Sequence, residues 1–169
     1  RSFFINVPQG RNTYRFVHWA SPTDSIFLKY AFESPGKWTE YAPSGYVRKL
    51  ELTEEEKIIE YYEATDQKPV VLEVAGPRRI KIIARLNFAI TMPGEQYFTI
   101  DIKEKGRSVK KQSFRAYRSE TSVYRNLRES VPSNPHVFYL NARKGQHRYE
   151  IFLSGLNGGL GLRIQAEQK

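Results

Sequence analysis

Hydrophobic and polar residues alternate along much of this chain, which is the pattern of β-strands with one buried face. Between residues 80 and 88 the even positions are apolar, while the odd positions carry Lys, Arg and Asn with one Ile. Residues 96–105 alternate in the same way. The pattern predicts strands at residues 2–7, 12–19, 25–33, 46–52, 69–74, 79–88, 96–105, 107–117, 137–142, 147–154 and 160–167.

Glycine and proline mark the breaks between these strands. Gly76-Pro77 and Lys105-Gly106 each separate two predicted strands. Asn157-Gly158 predicts a tight β-hairpin, because a type I′ turn needs positive φ at both central positions. Residues 119–135 form a long polar connection, with one helical turn expected at 123–128.

Residues 53–64 admit two interpretations. Thr53 and Glu56 have the spacing of a helix capping box, and the acidic residues between them suit a first helical turn. Two isoleucines and two tyrosines follow between positions 58 and 62, and these are good strand formers. The segment is therefore either a strand paired with residues 46–52 or a short helix.

The chain also contains an internal repeat. Residues 3–16 resemble residues 138–151, since Phe, Asn, Gly and Tyr at positions 3, 6, 10 and 14 recur at 138, 141, 145 and 149. The repeated unit is a strand, a short glycine turn and a second strand. Residues 138–151 are thus predicted to form a second copy of one hairpin.

Many short strands at hairpin spacing predict an all-β protein with little helix. The expected architecture is an antiparallel β-sandwich, Ig-like or jelly-roll-like, with one or two units related by the repeat. Residues 1–66 would form an N-terminal β unit, which is an incomplete sandwich in one interpretation. Residues 67–169 would form a basic C-terminal sandwich. In the other interpretation both units share one continuous sandwich.

Charge divides the chain in the same way. The net charge of +9 comes from the residues after 68, since residues 1–68 carry a net charge of −1. The 169 residues include no Cys, which excludes disulfides, thiolate metal sites and a Cys nucleophile. A chain without Cys suits a periplasmic, cell-surface or secreted protein, although a cytoplasmic location stays open. No apolar run approaches the roughly 20 residues of a membrane-spanning helix.

No catalytic pattern accompanies these features. His18, His136 and His147 show no metal-ligand spacing, and the chain has no GxSxG nucleophile elbow. Residues 155–161 are rich in glycine but lack the Lys-Ser/Thr of a phosphate-binding loop. We therefore expect no enzymatic activity, no metal and no cofactor.

A basic hairpin is one candidate binding site. It consists of Lys103, Lys105, Arg107, Lys110 and Lys111 around Gly106, with Arg115 and Arg118 farther along. Such a cluster could neutralise phosphates, sulfates or carboxylates. The alternative is a solvated border hairpin, where Lys prevents aggregation between sheet edges.

An aromatic loop is the other candidate. Trp38, Tyr41 and Tyr46 lie in or beside the segment 34–45, which is rich in Pro, Gly and Ser. Flat rings on a loop could stack on sugar rings. The alternative is that these rings fold back and cover the end of the core.

In style, though not in motif, the sequence resembles β-sandwich accessory modules of exported bacterial proteins. The expected function is a non-catalytic binding or assembly module with a protein partner, because an exposed sheet edge can pair with a partner strand. Glycan binding by the aromatic loop is the first alternative, and polyanion binding by the basic hairpin is the second. Nucleic acid is not an expected partner, since no recognition helix or RNA-binding aromatic motif is present.

Overall fold

The computed structural model describes residues 37–54 and 56–168, and these residues form an all-β structure without a helix. The ten strands are β1 (Trp38–Glu40), β2 (Lys49–Glu54), β3 (Lys57–Ala64), β4 (Val70–Ala89), β5 (Glu95–Glu104), β6 (Arg107–Tyr117), β7 (Val123–Tyr124), β8 (Ser130–Pro132), β9 (His136–Ser154) and β10 (Gly159–Glu167).

All ten strands belong to one antiparallel sheet. Its order is β6-β5-β9-β4-β10-β3-β2-β7, with β1 beside β10 and β8 beside β4. This arrangement confirms the predicted all-β, antiparallel class. The two facing sheets of a sandwich are not established, so the Ig-like or jelly-roll-like architecture stays a prediction.

The two central strands are much longer than predicted. Residues 69–74 and 79–88 form one strand of 20 residues, β4, which pairs with the 19 residues of β9. The predicted hairpin at 138–151 is therefore wrong, because the chain continues straight through its glycine turn. Gly76 lies opposite Gly145 in the ladder, and the register shifts just after it. A Cβ atom on Gly76 would lie only 1.7 Å from the carbonyl oxygen of Arg143, so this crossing requires glycine.

The ambiguous segment 53–64 is a strand. β3 pairs with β2 along the full length of β2, from Lys49 opposite Tyr62 to Glu54 opposite Lys57. The helical turn expected at 123–128 is wrong, since Val123 and Tyr124 form β7 beside β2. The side-chain amide of Asn126 holds the following residues by bonding to the backbone of β2.

The hairpin predicted at Asn157-Gly158 is also wrong. The segment does turn, but β9 and β10 lie on opposite sides of β4 and do not pair with each other. An Asn-Gly pair favours a tight turn, and long-range pairing with β4 decides where the two strands go.

The main core lies on one face of β4. Its even positions from Ile80 to Phe88 are fully buried against the even positions of β5 and β10. The opposite face was expected to be polar and exposed, yet Arg85 and Asn87 are 1% and 4% exposed. A second cluster covers them, and it consists of Leu50, Leu52, Tyr61 and Tyr124.

The predicted boundary at residue 66 stays a prediction. β3 and β10 come from opposite sides of it and pair in the same sheet. The predicted strands at 2–7, 12–19 and 25–33, the first copy of the repeat and His18 lie outside the described residues. Within the described part of the chain, no helix is long and apolar enough to cross a membrane.

Candidate functional site: the β6 border of the sheet

The β5–β6 hairpin forms where the sequence predicted it. Both strands alternate in polarity, and they are joined by a two-residue turn in which Lys105 and Gly106 have φ angles of 50° and 74°. Positive φ at both positions is what a tight hairpin turn requires. β6 pairs with β5 from Tyr117 opposite Glu95 to Arg107 opposite Glu104.

β6 lies at one end of the sheet order. Among the described residues its only strand partner is β5, which pairs with every residue of β6 except Val109, where the register shifts. The strand at the other end, β7, has two residues. We call the outward edge of residues 107–117 the β6 border.

The register shows which backbone groups face outward. The N–H of Arg118 donates to the carbonyl of Gly94, so this pair is bonded across the hairpin. Antiparallel pairs alternate between hydrogen-bonded and non-hydrogen-bonded pairs. The backbone N–H and C=O of the next residue, Tyr117, therefore point away from β5. Its carbonyl indeed accepts from the N–H of Asn134, on the other side. By the same alternation, the backbone N–H and C=O groups that point away from β5 along the border belong to Lys111, Ser113 and Arg115.

Charge is divided across the hairpin. β6 contains no carboxylate, whereas Glu95, Asp101 and Glu104 all belong to β5. The cations of β6 are Arg107, Lys110, Lys111 and Arg115. The edge of the sheet is therefore positive, with its carboxylates one strand farther in.

The predicted basic residues share this hairpin but do not act alike. Lys103 has its Nζ 4.7 Å above the ring centre of Phe152. Lys110 turns inward and donates to the carbonyl of Tyr139 at 2.7 Å. Lys111 lies 3.9 Å from a carboxylate oxygen of Asp101, a long contact with its own side chain 62% exposed. The other two, Lys105 and Arg107, are exposed at the turn.

An aromatic–arginine cluster on the outer face was not predicted. Arg115 donates two hydrogen bonds to Glu95, at 2.5 and 2.7 Å. Its guanidinium carbon lies 5.9 Å from the ring centre of Tyr97 and 5.2 Å from that of Tyr117. The two tyrosines are 68% and 44% exposed. The alternation of β5 and β6 carried the signal, since cross-strand partners share a face.

The predicted aromatic loop is dispersed, and each ring has a different neighbour. Trp38 lies in β1, not in a loop, with its ring 5.8 Å from that of Tyr139. Tyr41 packs at the edge of the main core and donates a hydrogen bond to a backbone carbonyl of β4. Tyr46 packs against Tyr62. Glycan binding by these three rings stays a prediction that their separate surroundings do not favour.

A layer of buried polar side chains surrounds Arg85 of β4. Arg85 donates to the hydroxyl of Tyr61, to Ser122, to the carbonyl of Ser133 at 2.8 Å and to Glu54 at 2.7 Å. Burial alone would raise the pKa of Glu54, but hydrogen bonds from Ser122 and Arg85 outweigh it and hold that pKa below its ordinary value. We call these five residues the Arg85 layer.

A second buried group adjoins this layer. Asn87 donates to Glu63 at 3.0 Å and accepts from the hydroxyl of Tyr124 at 2.6 Å. Arg48 also donates to the Glu63 carboxylate, at 2.5 Å. Burial raises the pKa of Tyr124 well above its ordinary value, so its proton stays on this bond.

Two glycines of β10 make room for this group. A Cβ atom on Gly159 would lie 2.3 Å from a Glu63 carboxylate oxygen and 2.6 Å from the Asn87 amide nitrogen. A Cβ atom on Gly161 would lie 2.9 Å from the Tyr124 hydroxyl. These two glycines of the segment 155–161 therefore allow polar side chains to pack closely against the strand.

The two described histidines have different surroundings. The ring of His147 is held on both sides, because its Nδ1 lies 2.7 Å from Glu104 and its Nε2 lies 3.0 Å from the carbonyl of Arg143. His136 lies among phenylalanine rings, and burial, with the charge of Arg85, lowers its pKa. No group of three or more His, Asp or Glu in the described ranges is placed to hold a metal.

Comparisons with known proteins add little. No protein-family model matches the chain, and no curated protein matches it. Among solved structures it is similar to the dimeric latent PorU from Porphyromonas gingivalis, at 11% sequence identity and a TM-score of 0.33. That match covers 81% of this chain and 14% of the PorU chain. At this TM-score the likeness carries no argument about function.

Proposed function

We propose that this protein is a non-catalytic protein-binding module that takes up an extended segment of its partner at the β6 border. The observation that carries this proposal is the outward-pointing backbone of Lys111, Ser113 and Arg115, on a strand whose other edge is paired with β5 from Lys110 to Tyr117 without a break. Strand addition supplies such an edge with a new ladder of hydrogen bonds.

The side chains beside the border support this function. Tyr and Arg are enriched among the residues that contribute most to protein–protein binding. Arg115 is held in place by Glu95 between two exposed tyrosines, so little side-chain freedom is lost when a partner binds there. Strand addition needs only an available sheet edge. The proposal therefore does not depend on whether the protein is a single sheet or the predicted sandwich.

A single backbone N–H tests the proposal. Replacement Ser113→Pro removes an outward N–H and leaves the ladder to β5 intact, because proline is tolerated where the N–H faces solvent. Replacement Ser113→Ala removes only the hydroxyl that contacts Thr99. The probe is an array of synthetic ten-residue peptides with Val or Thr at alternating positions.

We expect peptides that bind the native protein to bind Ser113→Ala and to lose binding to Ser113→Pro. Hydrogen exchange should show bound peptide protecting the amides of Lys111, Ser113 and Arg115. Equal binding to both variants, or no bound peptide at all, would overturn the proposal. Circular dichroism checks folding, and Lys111→Pro is the replacement variant if Ser113→Pro unfolds.

Polyanion binding is a second candidate, favoured by the four cations of β6 and its lack of carboxylates. It predicts that a sulfated polysaccharide binds with an affinity that falls steeply with salt. Because that contact needs charge and not backbone, Ser113→Pro should bind the polysaccharide as well as Ser113→Ala does. An extracytoplasmic location also remains part of the proposal, supported only by the lack of Cys.

A further inference from the structure

We propose that the segment taken up at the β6 border is acidic, with two carboxylate side chains four residues apart. This inference rests on the proposed function and identifies the chemistry of the partner. It follows from the positions of Lys111 and Arg115, which lie on the same outer face on either side of Ser113.

The geometry of an added strand gives the spacing. Every strand pair in the described sheet is antiparallel, and we take the added strand to be antiparallel too. Its residue opposite Ser113 is the centre, and the residues two before and two after it lie opposite Arg115 and Lys111. Directly opposed residues of bonded pairs have Cα atoms about 5.5 Å apart. Carboxylates at these two positions therefore meet a cation each, Arg115 beside its partner Glu95 and Lys111 beside the more distant Asp101.

The same register places an apolar residue between them. The added residue opposite Phe114 faces inward, beside a ring that is only half buried and packs on Phe98 and Phe138. An aliphatic side chain there extends the main core and covers the exposed part of that ring. The partner pattern is an acidic residue, an aliphatic residue, two residues of other types and a second acidic residue.

Charge also argues against a second copy of this chain as the occupant. If two β6 strands paired antiparallel about Ser113, Lys111 of each copy would lie opposite Arg115 of the other. Like charges directly opposed across two strands are destabilising. Cations on an exposed edge are a known protection against self-pairing, and here they favour a carboxylate-bearing strand in its place.

Two matched peptides test the inference. Both have ten residues and read Thr-Val-Thr-X-Val-Thr-Thr-X-Val-Thr, where X is Glu in one and Gln in the other. Fluorescence anisotropy of the labelled peptides gives their affinities at low and high salt. We expect the Glu peptide to bind about three- to tenfold more tightly at low salt, from two cross-strand ion pairs, and the difference to shrink at high salt.

Two lysine variants locate the effect. Lys111→Gln should reduce the ratio between the Glu and Gln peptides, because it removes one of the two cations opposite the carboxylates. Lys57→Gln makes the same change in net charge at an exposed position of β3 and should leave the ratio as it is. An equal loss of the ratio in both variants would show a general charge effect and overturn the inference.

The outcomes separate the inference from the proposed function. If both peptides bind equally and Ser113→Pro abolishes both, strand addition stands and the acidic partner is wrong. If neither peptide binds, or if both bind Ser113→Pro as they bind the native protein, strand addition itself is wrong and the inference fails with it. Tighter binding of the Glu peptide that Ser113→Pro abolishes and Lys111→Gln weakens would confirm both.

Discussion

Two arginines of this protein show how one side chain serves opposite purposes. Arg85 is 1% exposed, and all its nitrogens donate within the Arg85 layer. Arg115 is 53% exposed and has one carboxylate partner, Glu95, with a tyrosine on each side. Arg85 is enclosed and donates from each of its nitrogens to the protein itself, so it stabilises the fold. Arg115 is equally well oriented but remains accessible, so it suits binding.

Burial separates the charges that stabilise this fold from the charges that a partner could reach. A buried charge must be paired inside the protein, because burying it alone would be very unfavourable. The charges of the Arg85 layer therefore serve the stability of the fold. The positive, accessible edge at β6, whose side chains are oriented but not enclosed, is the proposed binding surface.

Exchange of each arginine for methionine should affect stability very differently at the two positions. We expect Arg85→Met to lower the free energy of unfolding by about 2–4 kcal/mol, because several buried acceptors lose their hydrogen-bond donor at once and Glu54, 33% exposed, loses its ion-pair partner. Arg115→Met should lower it by less than about 1 kcal/mol, as for exposed ion pairs. Urea unfolding followed by circular dichroism measures both. Similar losses in the two variants would break the distinction between the regions.

A pair of glycine variants tests how tightly the buried polar group is packed. Gly159→Ala places a methyl group into the contact between Glu63 and Asn87, and we expect a loss of about 1–3 kcal/mol. Gly94→Ala is the control, since a Cβ there has no atom within 4 Å and the backbone needs no positive φ. Its effect should stay within about 0.5 kcal/mol. Equal unfolding curves for the two variants would contradict the close packing.

The pH dependence of stability tests the packing of His136 against β6, and we expect this effect to be the smallest. His136 packs against Phe114, and its folded-state pKa is lowered below the unfolded value near 6.5. The unfolded chain then binds a proton first, so this contribution to stability falls as pH decreases through that value. His136→Phe should show less loss of stability between about pH 7.5 and about pH 5.5. Identical pH profiles of native and variant protein would exclude His136 as the cause.

Local patterns predicted the strands well and their connections poorly. The alternation in residues 96–117 gave β5, β6 and their turn, because a two-residue hairpin is set by neighbouring residues. The same logic failed at Gly145 and Asn157, where pairing with the distant β4 overrides the local turn signal.

For the candidate site too, local features could be predicted and long-range contacts could not. The cations of β6 were visible in the sequence, whereas the partnership of Arg85 with Glu54 and Ser122 joins three distant parts of the chain. That partnership depends on β2 covering the second face of β4, which no local pattern encodes. The outward direction of the Ser113 backbone is likewise set by the hydrogen bond between Arg118 and Gly94, which no local pattern encodes.

The position of β10 has a consequence for the order in which the molecule assembles. β10 lies between β4 and β3, and it also pairs with β1, the first described strand. The strand ladder from β3 to β4 is therefore complete only after residues 159–167 have been synthesised. Pairings this distant in sequence place the protein among slow folders, with times of about milliseconds to seconds. During synthesis β2 and β3 can pair with each other early, but this pair joins the β4 ladder only when β10 is present.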